Sequence, residues 1–193
     1  MGKSKRVKTI TLVLVLACLI VALYAYIDRT GGKEKKAEKT LAAKMLERNL
    51  DTTYPPTPYS VAELYCGIVE CLYKSDTTKE QKEALVHMER QLFDDEFAAI
   101  NPYEQLLLAT EAELLAATEK KLVFTGYVVE KASNIEKWEI DGTSYASVMV
   151  QFACRSSNGS GNSYRKLILR RDKNDRYKIL GWKTEEAISE ESK

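Results

Sequence analysis

Residues 137–155 read KWEIDGTSYASVMVQFACR, and their reading decides the fold. Asp141-Gly142 is a dipeptide suited to the two central positions of a tight hairpin turn. Beyond it Ala146, Val148, Val150, Phe152 and Cys154 recur at every second position, so they share one face of a long strand. The neighbouring segments have the same texture. LVFTGYVVEK (122–131) is rich in β-branched and aromatic residues, which fit a pleated, half-buried surface. SSNGSGNS (156–163) reads as a flexible hairpin loop. SYRKLILRR (163–171) and RYKILGW (176–182) follow as strands, joined by a turn through Asp172, Lys173, Asn174 and Asp175. Four or five antiparallel strands are expected.

Upstream the hydrophobic period changes to that of a helix. Val61, Leu64, Tyr65, Ile68 and Leu72 form an i, i+3, i+4, i+7, i+11 stripe, opened by Ser60 and Glu63 as a capping box. Thr77 with Glu80 starts a second helix carrying Ala84, Leu85, Met88 and Leu92. Asn101, Pro102 and Glu104 start a third, with Tyr103, Leu106, Leu107, Thr110 and Leu114. The expected class is α+β, with about three helices packed on a curved antiparallel sheet of four to five strands in a cone-like arrangement. Residues 51–182 would make this domain, with an acidic tail at 183–193. Just before it, NLDTTYPPTP (49–58) carries three prolines that disfavour helix in the residues preceding them. The stretch reads as a hinge between a stalk and the domain. A Pro-x-x-Pro ligand is the sharper alternative, but these prolines abut a capped helix instead of a free tail.

Residues 9–27, TITLVLVLACLIVALYAYI, carry no charge, and as a helix they would span about 28 Å, one hydrocarbon core. A basic tail (1–8) precedes them, and Tyr24 and Tyr26 sit where amphipathic rings favour the headgroup zone. The run is read as an uncleaved transmembrane anchor. Val15-Leu16-Ala17-Cys18 resembles a lipobox, so a lipoprotein signal is the rival, and cleavage elsewhere lacks a clean small-residue site. Lys3, Lys5, Arg6 and Lys8 precede the run, while Arg29, Lys33, Lys35, Lys36 and Lys39 follow it. The compact basic cluster before the run, and the ease with which long domains translocate, place the body outside the cell membrane. Residues 28–50 would form a charged juxtamembrane helix and stalk.

The chain has 193 residues, with 29 basic and 28 acidic side chains. Such balance offers no strong field for a polyanion, so nucleic acid is not an expected partner. Outside the apolar run stand Cys66, Cys71 and Cys154, an odd set with no C-x-x-C pair, and they read as buried thiols. His87 is the only histidine and reads as a surface or boundary residue, leaving hydrolytic nucleophiles without an imidazole base. Asp94, Asp95 and Glu96 read as a solvated helix end. Gly159-Ser160-Gly161 lacks the lysine and spacing of a phosphate loop. No catalytic, cofactor-binding or metal-ligating residue is assigned. The remaining lead is aromatic: Tyr65, Tyr127, Trp138, Tyr145 and Trp182 are the candidate lining of a pocket between sheet and helices, although core packing explains them as well.

Taken with the basic tail, apolar run and charged helix, Asn49-Leu50-Asp51, Tyr54-Pro55-Pro56-Thr57-Pro58, Asp94-Asp95-Glu96 and Asn101-Pro102 carry a resemblance. The chain resembles a family of uncharacterised membrane-anchored proteins of clostridial-type Gram-positive bacteria. Its helices-then-hairpins order is also similar to the nuclear-transport-factor-2-like (cystatin-like) superfold, which implies a cone with a pocket and hosts enzymes and binding modules alike. The aspartate–histidine dyad of that superfold's enzymes has no counterpart here. The expected function is a noncatalytic, single-span anchored extracytoplasmic domain binding a partner protein, a wall component or a small apolar ligand. An enzyme using a carboxylate or tyrosine as acid/base is the alternative. A convergent buried carboxylate would favour the enzyme, and a dry aromatic plug the scaffold.

Overall fold

The computed structural model describes residues 39–157 and 159–185. The apolar run 9–27, the basic tail, Cys18 and the first part of the stalk lie outside the described residues. Among the described residues no helix is long and apolar enough to cross a membrane. They form five helices followed by a five-stranded antiparallel sheet. The helices are α1 (Leu41–Leu46), α2 (Pro58–Tyr73), α3 (Lys79–Gln91), α4 (Asp95–Ile100) and α5 (Tyr103–Glu119). The strands are β1 (Val123–Val129), β2 (Glu136–Ile140), β3 (Thr143–Ser156), β4 (Gly159–Arg171) and β5 (Tyr177–Glu185). The α+β class stands, with five helices in place of about three.

The sheet grows from the 137–155 stretch as its sequence dictates. Asp141 (φ 49°) and Gly142 (φ 76°) both take positive φ, which closes the β2–β3 hairpin. Strand β3 is the spine, in the order β1-β3-β4-β5 with β2 also paired to β3. Strands β1 and β2 share one side of it end to end, β1 on Val150 to Arg155 and β2 on Thr143 to Ser147. Ala146, Val148, Val150 and Phe152 are buried together, as their alternation requires. The glycine-rich 156–163 segment departs from expectation. Gly159 to Ser163 continue the ladder opposite Ser156 to Phe152, because the long β3 still offers unpaired backbone there. The acidic tail also begins later than expected, since β5 runs on to Glu185.

Helix α2 covers the core face of the sheet, and α3 packs on α2, α1 and α5. Val61, Leu64, Tyr65, Ile68 and Leu72 are all buried, and each such side chain contributes about 1.5–3 kcal/mol. The caps lie near the expected places but use other residues. Thr57, not Ser60, is the N-cap of α2, with Ser60 reciprocating at N3 and Pro58 at N1. Thr78 with Gln81 caps α3, while Thr77 is buried and its hydroxyl donates to the Cys71 carbonyl at 2.7 Å. On α3 the buried positions are Leu85, Val86, Met88 and Glu89; Ala84 is exposed.

The compact unit starts at Thr40, and Ala42, Met45 and Leu50 belong to its core. Residues read as stalk therefore pack into the body. Gly67 makes room for this: a Cβ there would stand 2.8 Å from the Met45 Cε. The proline stretch is also tied down. Tyr54 Oη donates to the Tyr177 carbonyl at 2.9 Å, and Lys178 Nζ lies 4.3 Å from the Tyr54 ring centre.

Between α3 and α4 the chain meets the edge of β5. Asp94 N–H donates to the Ile179 carbonyl, and Ile179 N–H donates to the Leu92 carbonyl, each at 2.8 Å. The Asp94 side chain caps α4 by accepting from Glu96 N–H at 3.1 Å. Arg170 grips the same carboxylate with Nε and Nη2, the former at 3.0 Å, and reaches Glu96 with Nη1. Asp95 and Glu96 are exposed as expected, but Asp94 is buried. It is the buried end of an ion pair, not part of a solvated acidic side.

Candidate functional site

Two ionisable side chains point where alternation and helical pitch leave them no choice. Glu89 stands one turn beyond Leu85 on the inward face of α3 and is only 6% exposed. Arg165 precedes Leu167 and Leu169 at two-residue spacing on β4, with both leucines fully buried, so it projects from the core face of the sheet. Between them lies a cavity of about 300 Å³, at the small end of the range for small-molecule sites. Val69, Leu106, Ala109, Thr110 and Trp182 line it together with the two charged residues and Glu113. Its outer wall is α5, none of whose residues is buried.

The groups around the cavity are fixed in pairs, with one exception. Arg165 Nη1 donates to Tyr65 Oη at 2.7 Å. Its guanidinium lies over the rings of Phe152 and Trp182, 5.3 and 5.6 Å from their centres, a favourable placement for a cation. Arg165 Nη2 is 3.8 Å from Glu113 Oε1, and Tyr73 Oη donates to the same oxygen at 2.6 Å. Glu89 is the exception. Among the described residues its carboxyl has no hydrogen bond and no ion pair within 4.0 Å. Those residues hold no fully enclosed side-chain nitrogen or oxygen without a partner, so the Glu89 oxygens open on the cavity.

Burial sets the protonation of this cluster. Desolvation pushes the Glu89 carboxyl up to about 7; Arg165 pulls against that rise and Glu113 adds to it. Tyr65 is raised far above its ordinary value, chiefly by burial and against the pull of Arg165. Burial and the bond to Glu113 raise Tyr73 likewise. Both phenols are therefore neutral across the physiological range, whereas the Glu89 carboxyl is raised into it.

The expected aromatic lining divides among three places. Tyr65 and Trp182 come together, ring centres 5.8 Å apart, with Trp182 on the cavity and Tyr65 fully buried beneath Arg165. Tyr127 lines a different cleft of about 500 Å³ beside Arg48, Tyr54, Pro55 and Pro56. Trp138 and Tyr145 stack on each other at 5.9 Å across the β2–β3 pair, and Trp138 is exposed. His87 is exposed and meets the Tyr103 ring edge-on. Cys66 and Cys71 are buried free thiols, and burial raises Cys71 to about 11. Among the described residues no group of acidic, cysteine or histidine side chains could hold a metal ion. Sequence reading missed Glu89, Arg165 and Glu113. The available signal was a charge at a position that the apolar pattern assigns to the interior.

Chemically, the arrangement offers a buried carboxyl raised toward neutral pH, a fixed guanidinium and an apolar wall around one small cavity. The chain belongs to a family defined by a domain of unknown function, DUF6715, whose model matches residues 1–182. Comparison with curated proteins finds no match.

Proposed function

We propose that this chain is a noncatalytic envelope domain that holds a small ligand in the cavity between α5 and the sheet. Residues 9–27 would anchor it in the cell membrane by a single span, with the body on the extracytoplasmic side, as in the clostridial-type proteins it resembles. Its helices-then-sheet order fits the nuclear-transport-factor-2-like architecture. One observation carries the reading: Glu89 is 6% exposed and opens, without a protein partner, on a cavity of about 300 Å³. Because its oxygens open on the cavity, an occupant that displaces water there must pair with them, since a buried polar group left unpaired is costly.

The buried carboxyl also favours a second reading, an enzyme with Glu89 as general acid/base, because a pKa near 7 suits proton transfer at neutral pH. Its neighbours support binding more. Tyr65 and Tyr73 are tied to Arg165 and Glu113, so they hold the guanidinium and the second carboxylate in place. Native mass spectrometry on the full chain, gently purified from its source, tests both. A retained small molecule that is recovered unchanged after incubation is the expected result. A retained molecule that changes mass on incubation supports the enzyme, and an empty chain defeats the ligand reading.

A further inference from the structure

We propose that the cavity takes a small organic ammonium, whose N–H groups donate to Glu89 while its apolar body lies against Val69, Leu106 and Trp182. The inference rests on the ligand reading above and names the ligand's chemistry. Charge around the cavity decides it. Two carboxylates, Glu89 and Glu113, face one guanidinium, Arg165. That guanidinium is already committed to Tyr65 and lies beside Glu113. When Glu89 ionises, one negative charge is left without a cation, and a monovalent ammonium matches it. An anionic ligand would meet two carboxylates, and a neutral apolar one would leave the Glu89 oxygens unpaired.

The site should therefore bind more tightly as Glu89 loses its proton. The groups that face it from the packed elements are Tyr65 and Tyr73 of α2, Glu113 of α5 and Arg165 of β4. On its own helix, Arg90 is held by the carbonyls of Ala98 and Asn101 at 3.0 and 3.1 Å. Both tyrosines stay neutral through this range.

The test is isothermal titration calorimetry on the full 193-residue chain in a neutral detergent, with 1-aminopentane, 1-pentanol and pentanoate as probes and a micelle blank for each. Aminopentane alone is expected to bind, its affinity rising about tenfold per pH unit below 7 and levelling above. Glu89→Gln, which keeps shape and removes charge, should weaken it at least tenfold at pH 8, with a thermal melt confirming that the variant is folded. Equal or tighter binding of pentanol or pentanoate overturns the ammonium assignment and leaves the ligand reading standing. Aminopentane binding that survives Glu89→Gln also overturns it. If none of the three binds, the assignment falls, and the mass-spectrometry result decides the ligand reading separately.

Discussion

Glu89→Gln should stabilise the protein, and by an amount that depends on pH. In the unfolded chain a glutamate titrates near 4.5, whereas burial raises the folded Glu89 to about 7. A carboxyl raised in this way costs nothing below the unfolded value, where both states are protonated. The penalty grows as pH climbs, because the unfolded chain releases its proton first, and it is complete above the folded value. A rise of this size corresponds to about 3 kcal/mol at full development, most of it accumulated between pH 5 and 8. Glutamine does not ionise, so the stability of Glu89→Gln relative to the native chain should rise by about 2–3 kcal/mol over that interval, or about 5–10 °C in Tm for a chain of this length. Urea unfolding followed by circular dichroism at the two pH values, without added ligand, measures the difference directly. If Arg165 were instead a true ion-pair partner, the carboxyl would be depressed and the variant would lose stability as pH rose. A flat or falling difference between pH 5 and 8 would falsify the assignment of Glu89 as a buried, unpaired acid.

Two further outcomes follow from geometry elsewhere in the body. Arg170→Ala strands the buried Asp94 carboxylate and should destabilise by about 3–5 kcal/mol, with Arg170→Lys recovering only part of it, as equilibrium unfolding would show. Gly67→Ala should change stability by less than about 1 kcal/mol, because helix propensity favours alanine and the atom in the way is the flexible end of Met45. Gly67→Leu, by contrast, should displace α1, read as faster hydrogen exchange at Lys44 and Met45, whose amides bond at the start of α1, with the amides of β4 and β5 unchanged.

The sheet was legible because its signals are local. Asp141-Gly142 and the alternation from Ala146 to Phe152 each specify geometry within a few residues. The starts of α2, α3 and α5 were legible to within three residues. Thr57 and Thr78 took the caps because their own N3 partners, Ser60 and Gln81, could reciprocate, and Thr77 was drawn instead to the Cys71 carbonyl. Helix α4 has six residues, too few to show a period. Gly159 to Ser163 look like loop by composition, but their pairing depends on how far β3 extends, which composition does not record.

The site was hidden for a related reason. A glutamate at position 89 and an arginine at position 165 both violate the apolar pattern around them, and a pattern search discounts such exceptions as noise. Only the tertiary fold shows that the two exceptions face one cavity. Aromatic content pointed to the right sheet but not to one place, since Trp138 and Tyr145 satisfy each other across a strand pair and Tyr127 belongs to the proline-lined cleft. Asp94 was misread because its partner, Arg170, is 76 positions away.

The backbone bonds that join Leu92 and Asp94 to Ile179 have a consequence for the protein's behaviour in a crowded solution. An outer strand with free N–H and C=O groups is a template on which another chain can add. Part of the outer rim of β5 is occupied by the chain's own linker, which is in turn pinned by the Arg170 clamp on Asp94. The opposite rim, formed by β1 and β2, carries Glu136, Lys137 and Glu139 on a fully exposed β2, and charges of both signs there deter a flat apolar partner. Loosening the clamp would therefore do more than lower stability: it would uncover a docking edge, and misassembly of Arg170 variants should begin at Ile179.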